Sequence, residues 1–196
     1  MSIKAVIFDL DGTITEPYFD FGAIREEIGV PRDSGPLLET MRNMTKEQRS
    51  RAERILHHHE QIAVEASQMN PGARETIEAL RSAGIRVGIL TRNLRDNALA
   101  VAQKHDLEFD GIVGREEGPA KPDSFGVVHL CRQFAVEASQ TMVVGDYLFD
   151  LQCAKAAGAI AVWLKNSHHS QDFSQDADFC VENVGQILEI VKSHSE

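Results

Sequence analysis

Three short apolar runs in this 196-residue chain each end at residues able to carry chemistry. Ala5–Phe8 runs into Asp9-Leu10-Asp11-Gly12-Thr13, Ile85–Leu90 into Thr91, and Thr141–Val144 into Gly145 and Asp146. Ala159–Leu164 is a further run, and Phe179–Val181 a short late one. Runs that are apolar throughout, rather than alternating, suit strands buried on both faces of a parallel sheet. Between them, Pro71–Ala83, Leu94–His105, Asp123–Phe134, Phe149–Ala157 and Gly185–Ser193 carry apolar residues at helical spacing. Alternating strands and helices with short connections predict a doubly wound α/β core. In such sheets ligands bind at the carboxyl ends of the strands, where Asp9, Thr91 and Asp146 fall.

Residues 15 to 70 break the rhythm, with no strong strand. A Gly35-Pro36 turn precedes Lys46–Ser67, a long polar helix candidate. This segment reads as a helical insert after the first strand, and Ser167–Asp178 as a polar loop.

Composition narrows the function classes. Twenty Lys+Arg against 30 Asp+Glu leave a net charge of −10, which argues against nucleic acid and anionic membranes as partners. No apolar run approaches the ~20 residues of a membrane span. Only Ala5–Phe8 are continuously apolar near the start, too few for a secretory signal core. Cys131, Cys153 and Cys180 are isolated and odd in number, so a reduced, cytoplasmic setting is expected, with packing roles for all three.

Each motif has a functional and an ordinary reading. Positions i and i+2 of a strand share a face, so Asp9 and Asp11 point to one site if the strand geometry persists; Gly12 allows a sharp turn. Thr91, with Arg92 and Asn93, forms a phosphate cradle at a helix start, or else Asn93 is a plain N-cap boxed by Asp96. Lys121, opening a helix after Gly118-Pro119, is a point charge for a phosphate or a surface lysine. Asp146 and Asp150, four apart, share a face of an opening helical turn, or serve as a cap and a surface residue. Carboxylates gathered at one place repel, and some would protonate unless a cation joined them; Mg²⁺ suits such an all-oxygen set.

Asp9-Leu10-Asp11-Gly12-Thr13, Thr91, Lys121 and Gly145-Asp146…Asp150, in this order along the whole chain, resemble the haloacid dehalogenase (HAD) superfamily of phosphohydrolases. The type resembled is phosphoglycolate-phosphatase-like with a small helical cap. The resemblance implies a Rossmann-like core at 1–14 and 71–196, with a cap at 15–70 that closes over the strand ends. Asp9 would be the nucleophile and Asp11 the general acid and base. Asp9, the Asp11 backbone carbonyl and Asp146 would hold Mg²⁺. Thr91, Arg92 and Lys121 would bind phosphate, with Gly12, Thr13 and Asp150 in support. Phe19, Phe21 and Arg25 are candidates for leaving-group contacts, packing being the other role of the two phenylalanines.

The implied partner is a small phosphorylated metabolite, and the protein a monomer or homodimer. The sequence leaves the substrate open among phosphoglycolate, a sugar phosphate, a nucleotide and a phosphorylated amine. A phosphomutase of the beta-phosphoglucomutase type uses the same motifs, and a non-catalytic phosphate-sensing or partner-binding protein is the alternative outside enzymes. His57-His58-His59 tempts a metal reading, but neighbouring helical residues diverge, so a hydrated surface is expected there, as for His168-His169.

Overall fold

The structure is a computed structural model that describes residues 2–166 and 171–194. In chain order the strands are β1 (Ala5–Phe8), β2 (Arg86–Leu90), β3 (Gly111–Val113), β4 (Thr141–Gly145), β5 (Ile160–Leu164) and β6 (Phe179–Val181). The helices are α1 (Phe21–Ile28), α2 (Leu37–Arg42), α3 (Lys46–Ala66), α4 (Ala73–Ser82), α5 (Arg95–Lys104), α6 (Phe125–Phe134), α7 (Leu148–Ala157) and α8 (Ile187–Ser193).

The strands form one six-stranded sheet in the order β3-β2-β1-β4-β5-β6, and every neighbouring pair is parallel. The doubly wound α/β expectation therefore holds. β1 lies between β2 and β4, with Phe8 opposite Ile89 and Val144. All four β1 residues are fully buried, as their unbroken apolar run requires. Ile7, Val143, Val127, Leu130 and Leu151 share one buried cluster, which seats α6 and α7 on the sheet. Removing such apolar side chains from water contributes ~1.5–3 kcal/mol each.

Both edge strands begin with the same device. Asp110, just before β3, donates its N–H to Val87 O at 2.7 Å, and its Oδ2 accepts the Val87 N–H at 2.9 Å. Asp178, just before β6, does the same to Ala161, at 2.8 and 2.9 Å. Each carboxylate also meets cations: Arg81 and Arg86 at Asp110, Lys155 at Asp178.

The chain divides into two compact units, Met1–Pro17 with Gln68–Glu196, and Tyr18–Ser67. The second is all-helical among its elements, built on Ile24, Ile28, Leu37, Met41, Ala52 and Leu56. Its long helix α3 starts with a capping box: Thr45 Oγ1 accepts from Gln48 N–H at 3.3 Å, and Gln48 Oε1 from Thr45 N–H at 3.0 Å. Within the first unit, the flanking segments run antiparallel through a Thr15–Met69 bridge and a Glu16 N–H bond to Gln68 O at 2.9 Å.

Several expectations shift. The helix expected from Asp123 starts at Phe125, because Asp123 Oδ1 takes the Phe125 N–H at 2.8 Å in a turn before it. Lys121 thus lies ahead of the helix rather than opening it. The stretch expected from Gly185 is a 3₁₀ turn over Val184–Gln186 before α8. Residues 171–178 are not wholly loop, since Ser174–Asp176 form a 3₁₀ turn and Phe173 is buried. The other end of that segment, with His168-His169, lies outside the described residues.

Candidate active site

The sheet places its chemistry where β1 and β4 end. Asp9 extends β1 by one bond, its N–H donating to Val144 O at 2.9 Å. Its carboxylate meets Lys121, whose Nζ donates to Asp9 Oδ1 at 2.6 Å and to Asp150 Oδ1 at 2.5 Å. The lysine side chain is 2% exposed, so these are buried ion pairs rather than screened surface contacts. The surface-lysine reading of Lys121 therefore fails.

Asp150 sits in the first turn of α7, its Oδ2 accepting the Tyr147 N–H at 3.1 Å. It packs so tightly on β4 that a Cβ at Gly145 would lie 2.1 Å from its Cγ. Asp146 precedes α7 and its N-cap Tyr147, so the two aspartates do not share a helical face as expected. They converge nonetheless: Asp9, Asp146 and Asp150 each offer a carboxylate oxygen within 4.8 Å of the others. Asp150, expected only in support, is part of this group.

Gly12 closes the loop after β1 at φ +90, a conformation that L side chains rarely adopt. A Cβ here would stand 2.3 Å from Asp146 Oδ2, so the loop backbone rests directly against that carboxylate. Asn166, after β5, donates Nδ2 to Gly12 O at 3.2 Å and lies 3.4 Å from Asp146 Oδ2. Asn70 Nδ2 lies 3.1 Å from Gly12 O, 2.8 Å from Thr13 O and 3.2 Å from Thr15 O. Thr13 is fully buried, and its hydroxyl has no hydrogen-bond partner among the described residues.

The Asp11 side chain is not part of the three-carboxylate group; its Oδ2 accepts from Asn93 Nδ2 at 3.3 Å. Asn93 is not the N-cap of α5, a position that Leu94 holds without a side-chain bond. Instead Asn93 Oδ1 takes the Leu94 N–H and Asn97 Nδ2, both at 2.8 Å, and its own N–H donates to Thr91 Oγ1 at 3.0 Å. Thr91 is buried here. The Arg92 guanidinium bonds the Lys121 carbonyl and lies 4.7 Å from the centre of the Phe149 ring. That stacking packs the Lys121 loop on α7.

Electrostatics follow from burial. Desolvation raises the Asp9 carboxyl to about 6, against the pull of Lys121 and with a further push from Asp150. Asp150 is raised too, by burial and by neighbouring Asp146, although Lys121 opposes the shift. Burial would lower Lys121, but Asp150 and Asp9 more than reverse that and hold it above its usual range. Burial, then Asp150, pushes the Cys153 thiol up to about 12, which suits packing and not reactivity. One ammonium among three carboxylates leaves an excess of negative charge. The all-oxygen donor set and that excess fit a small divalent cation such as Mg²⁺.

In the second unit, Phe19 packs against the helical cluster and stacks on Phe21 at 5.3 Å, while Phe21 is 47% exposed. Arg25 spends its guanidinium on backbone carbonyls of its own unit, Gly35 O at 2.7 and 3.2 Å and Phe21 O at 3.0 Å. It therefore ties α1 to the turn before α2. His59 Nε2 lies 2.7 Å from Glu27 Oε2.

A family model described as haloacid dehalogenase-like hydrolase matches residues 3–158. The chain belongs to this family. Among curated HAD-like relatives, a haloacid dehalogenase-like hydrolase domain-containing protein of Arabidopsis thaliana is 28% identical, covering 98% of this chain and 85% of its own length. A phosphoglycolate phosphatase of Chromobacterium violaceum is 25% identical, covering 97% of each chain. A hydrolase structure from Pseudomonas syringae shares the fold of this chain, with a TM-score of 0.79, 24% identity and coverage of 97% of this chain and 98% of that one.

Asn70 and Asn166 escaped the reading of the sequence. An asparagine before proline reads as an ordinary turn residue, and one after a strand as loop. Only the fold brings both to the same carbonyl.

Proposed function

We propose that this chain is a Mg²⁺-dependent phosphatase of small phosphorylated metabolites, acting through an aspartyl-phosphate on Asp9. The observation that carries the reading is Lys121 held between Asp9 and Asp150 beside Asp146. Asp9 Oδ attacks phosphorus; the new P–O bond forms as the ester P–O bond breaks. Asp11 gives a proton to the leaving oxygen, then takes one from the water that hydrolyses the acyl phosphate. Lys121 favours the ionised form of Asp9 and neutralises the phosphoryl oxygens, to which the Thr91 hydroxyl gives a hydrogen bond. Asp150 orients Lys121, and Gly12 and Thr13 shape the loop. Asp9, the Asp11 backbone carbonyl and Asp146 would hold Mg²⁺, which supplies charge neutralisation at the phosphoryl group. Arg92, packed on Phe149, is a candidate phosphate contact, and Phe19, Phe21 and Arg25 are candidates for leaving-group contacts.

In this reading, residues 1–14 and 71–196 are the core and 15–70 the cap. The phosphatase name of a relative and the −10 charge favour a small ester over a nucleic acid. The buried free thiols Cys131 and Cys153 suit a reducing cytoplasm, with the protein a monomer or homodimer. No helix among the described residues is long and apolar enough to cross a membrane.

The test is phosphate release by the purified protein from a panel of small phosphate esters, with Mg²⁺ and with chelator. Release that needs Mg²⁺ is expected. Activity confined to a folded phosphoprotein overturns the reading, and a strict need for a sugar bisphosphate reassigns the protein as a mutase. Phosphate binding with no turnover of any ester makes it a sensor.

A further inference from the structure

We infer that Asn70 is a positioning residue for this site: its amide fixes the Gly12–Thr15 loop that follows Asp11, and through that loop the placing of Asp146. The inference rests on the phosphatase reading for its kinetic half and on geometry for the rest.

Asn70 Nδ2 sits among three carbonyls of one loop, Gly12 O at 3.1 Å, Thr13 O at 2.8 Å and Thr15 O at 3.2 Å. Three acceptors around one atom select a donor edge, so the amide must present its NH₂ group. The backbone is held at the same place, since Asn70 N–H donates to Ile14 O at 2.9 Å. Gly12 O accepts a second amide, Asn166 Nδ2 at 3.2 Å. That amide also reaches Asp146 Oδ2 at 3.4 Å. The glycine lies against Asp146, leaving no room for a Cβ, which would stand 2.3 Å from Oδ2. A loop set free from Asn70 therefore moves Asp11 and jostles Asp146 in one displacement. Asn70 itself needs no contact with phosphate or metal.

The experiment uses the full chain with Asn70→Leu, which keeps the volume and removes the donors, and Asn70→Ala in case the first fails to fold. Mg²⁺ binding is measured by titration calorimetry without substrate, beside thermal unfolding and kcat and KM on an aryl phosphate. The expected result is a Mg²⁺ Kd raised about tenfold, as for other partners that orient metal ligands. It comes with a lower kcat, a KM close to wild type and a cooperative unfolding transition. Asn166→Ala should raise the Kd in the same direction, and the double variant should be less than additive, because both amides act through Gly12 O. A lower Tm with unchanged Mg²⁺ Kd and unchanged kcat overturns the inference and reduces Asn70 to loop stability. If wild type binds Mg²⁺ yet releases phosphate from no ester, the phosphatase reading falls, while the Kd comparison still decides the role of Asn70. If wild type binds no Mg²⁺, there is no metal site to position and the inference falls.

Discussion

Lys121 and Asp9, 112 residues apart in sequence, meet at 2.6 Å with the lysine side chain 2% exposed. Asp150 completes the arrangement from the other side at 2.5 Å. Removing one member of a buried pair leaves an uncompensated charge and costs ~3–5 kcal/mol. Lys121→Met should approach the lower end of that range, because Asp9, already raised to about 6, can take up a proton. Urea unfolding measures the loss; a change within about 0.5 kcal/mol, as for an ordinary surface substitution, would contradict the buried pair.

Asp9→Asn tests the nucleophile. The amide is nearly isosteric and keeps a contact for Lys121, so the fold should survive. Turnover should fall by at least ~10⁴-fold, as when a member of a catalytic unit is removed. Activity near wild type in pure protein, checked by circular dichroism for folding, would remove Asp9 from the chemistry.

Gly12→Ala attacks the site through the backbone. The residue sits at φ +90, and the new methyl would stand 2.3 Å from Asp146 Oδ2. Strain at such a position costs ~1–3 kcal/mol. The Asp146 carboxylate must also swing aside, so Mg²⁺ affinity should fall about tenfold or more. An unchanged isotherm would mean that Asp146 is not a ligand.

A pH effect is expected at Asp110, far from the chemistry. Burial would raise its carboxyl, but the Val87 N–H and the guanidinium groups of Arg86 and Arg81 hold it below the ordinary 3.8. A depressed carboxylate pKa contributes stability that is complete above the unfolded value and is lost as pH falls through the folded one. Asp110→Asn should therefore cost ~1–2 kcal/mol at pH 7. The gap to wild type should begin to close below 3.8, the ordinary value. Urea midpoints at pH 7 and pH 3 measure it; an equal gap at both would place the effect in packing.

The long strands were legible because a parallel sheet buries both faces, and Val6, Ile7 and Phe8 announce that with no polar break. β3 was not, since Gly111–Val113 is three residues long and its start is fixed by Asp110 pairing with Val87 across the sheet. α1 and α2 are short helices in a polar stretch, and their apolar stripes emerge only once they share the cluster around Leu56. The site was legible as a set of residues, because Asp9, Thr91 and Asp146 stand at strand ends. Its wiring was not. Nothing in the spacing says that Arg92 turns to Phe149 or that Asn93 Nδ2 reaches Asp11. Those choices depend on partners supplied by distant parts of the chain.

The strand order sets a timetable for synthesis. β1 is made before the other strands of the sheet, yet its neighbour β4 begins at Thr141, and Asp150 comes only in the first turn of the helix after β4. Until that point has emerged, Asp9 has neither Asp146 nor Asp150 beside it, and β1 lies on a sheet with one side open. Non-local pairings of this kind slow folding. On the proposed reading they also withhold activity from the growing chain, because a polypeptide that stops short of Asp150 lacks the assembled carboxylate group. On that reading chemistry waits until β1 to β4 and the start of α7 are in place to contain it.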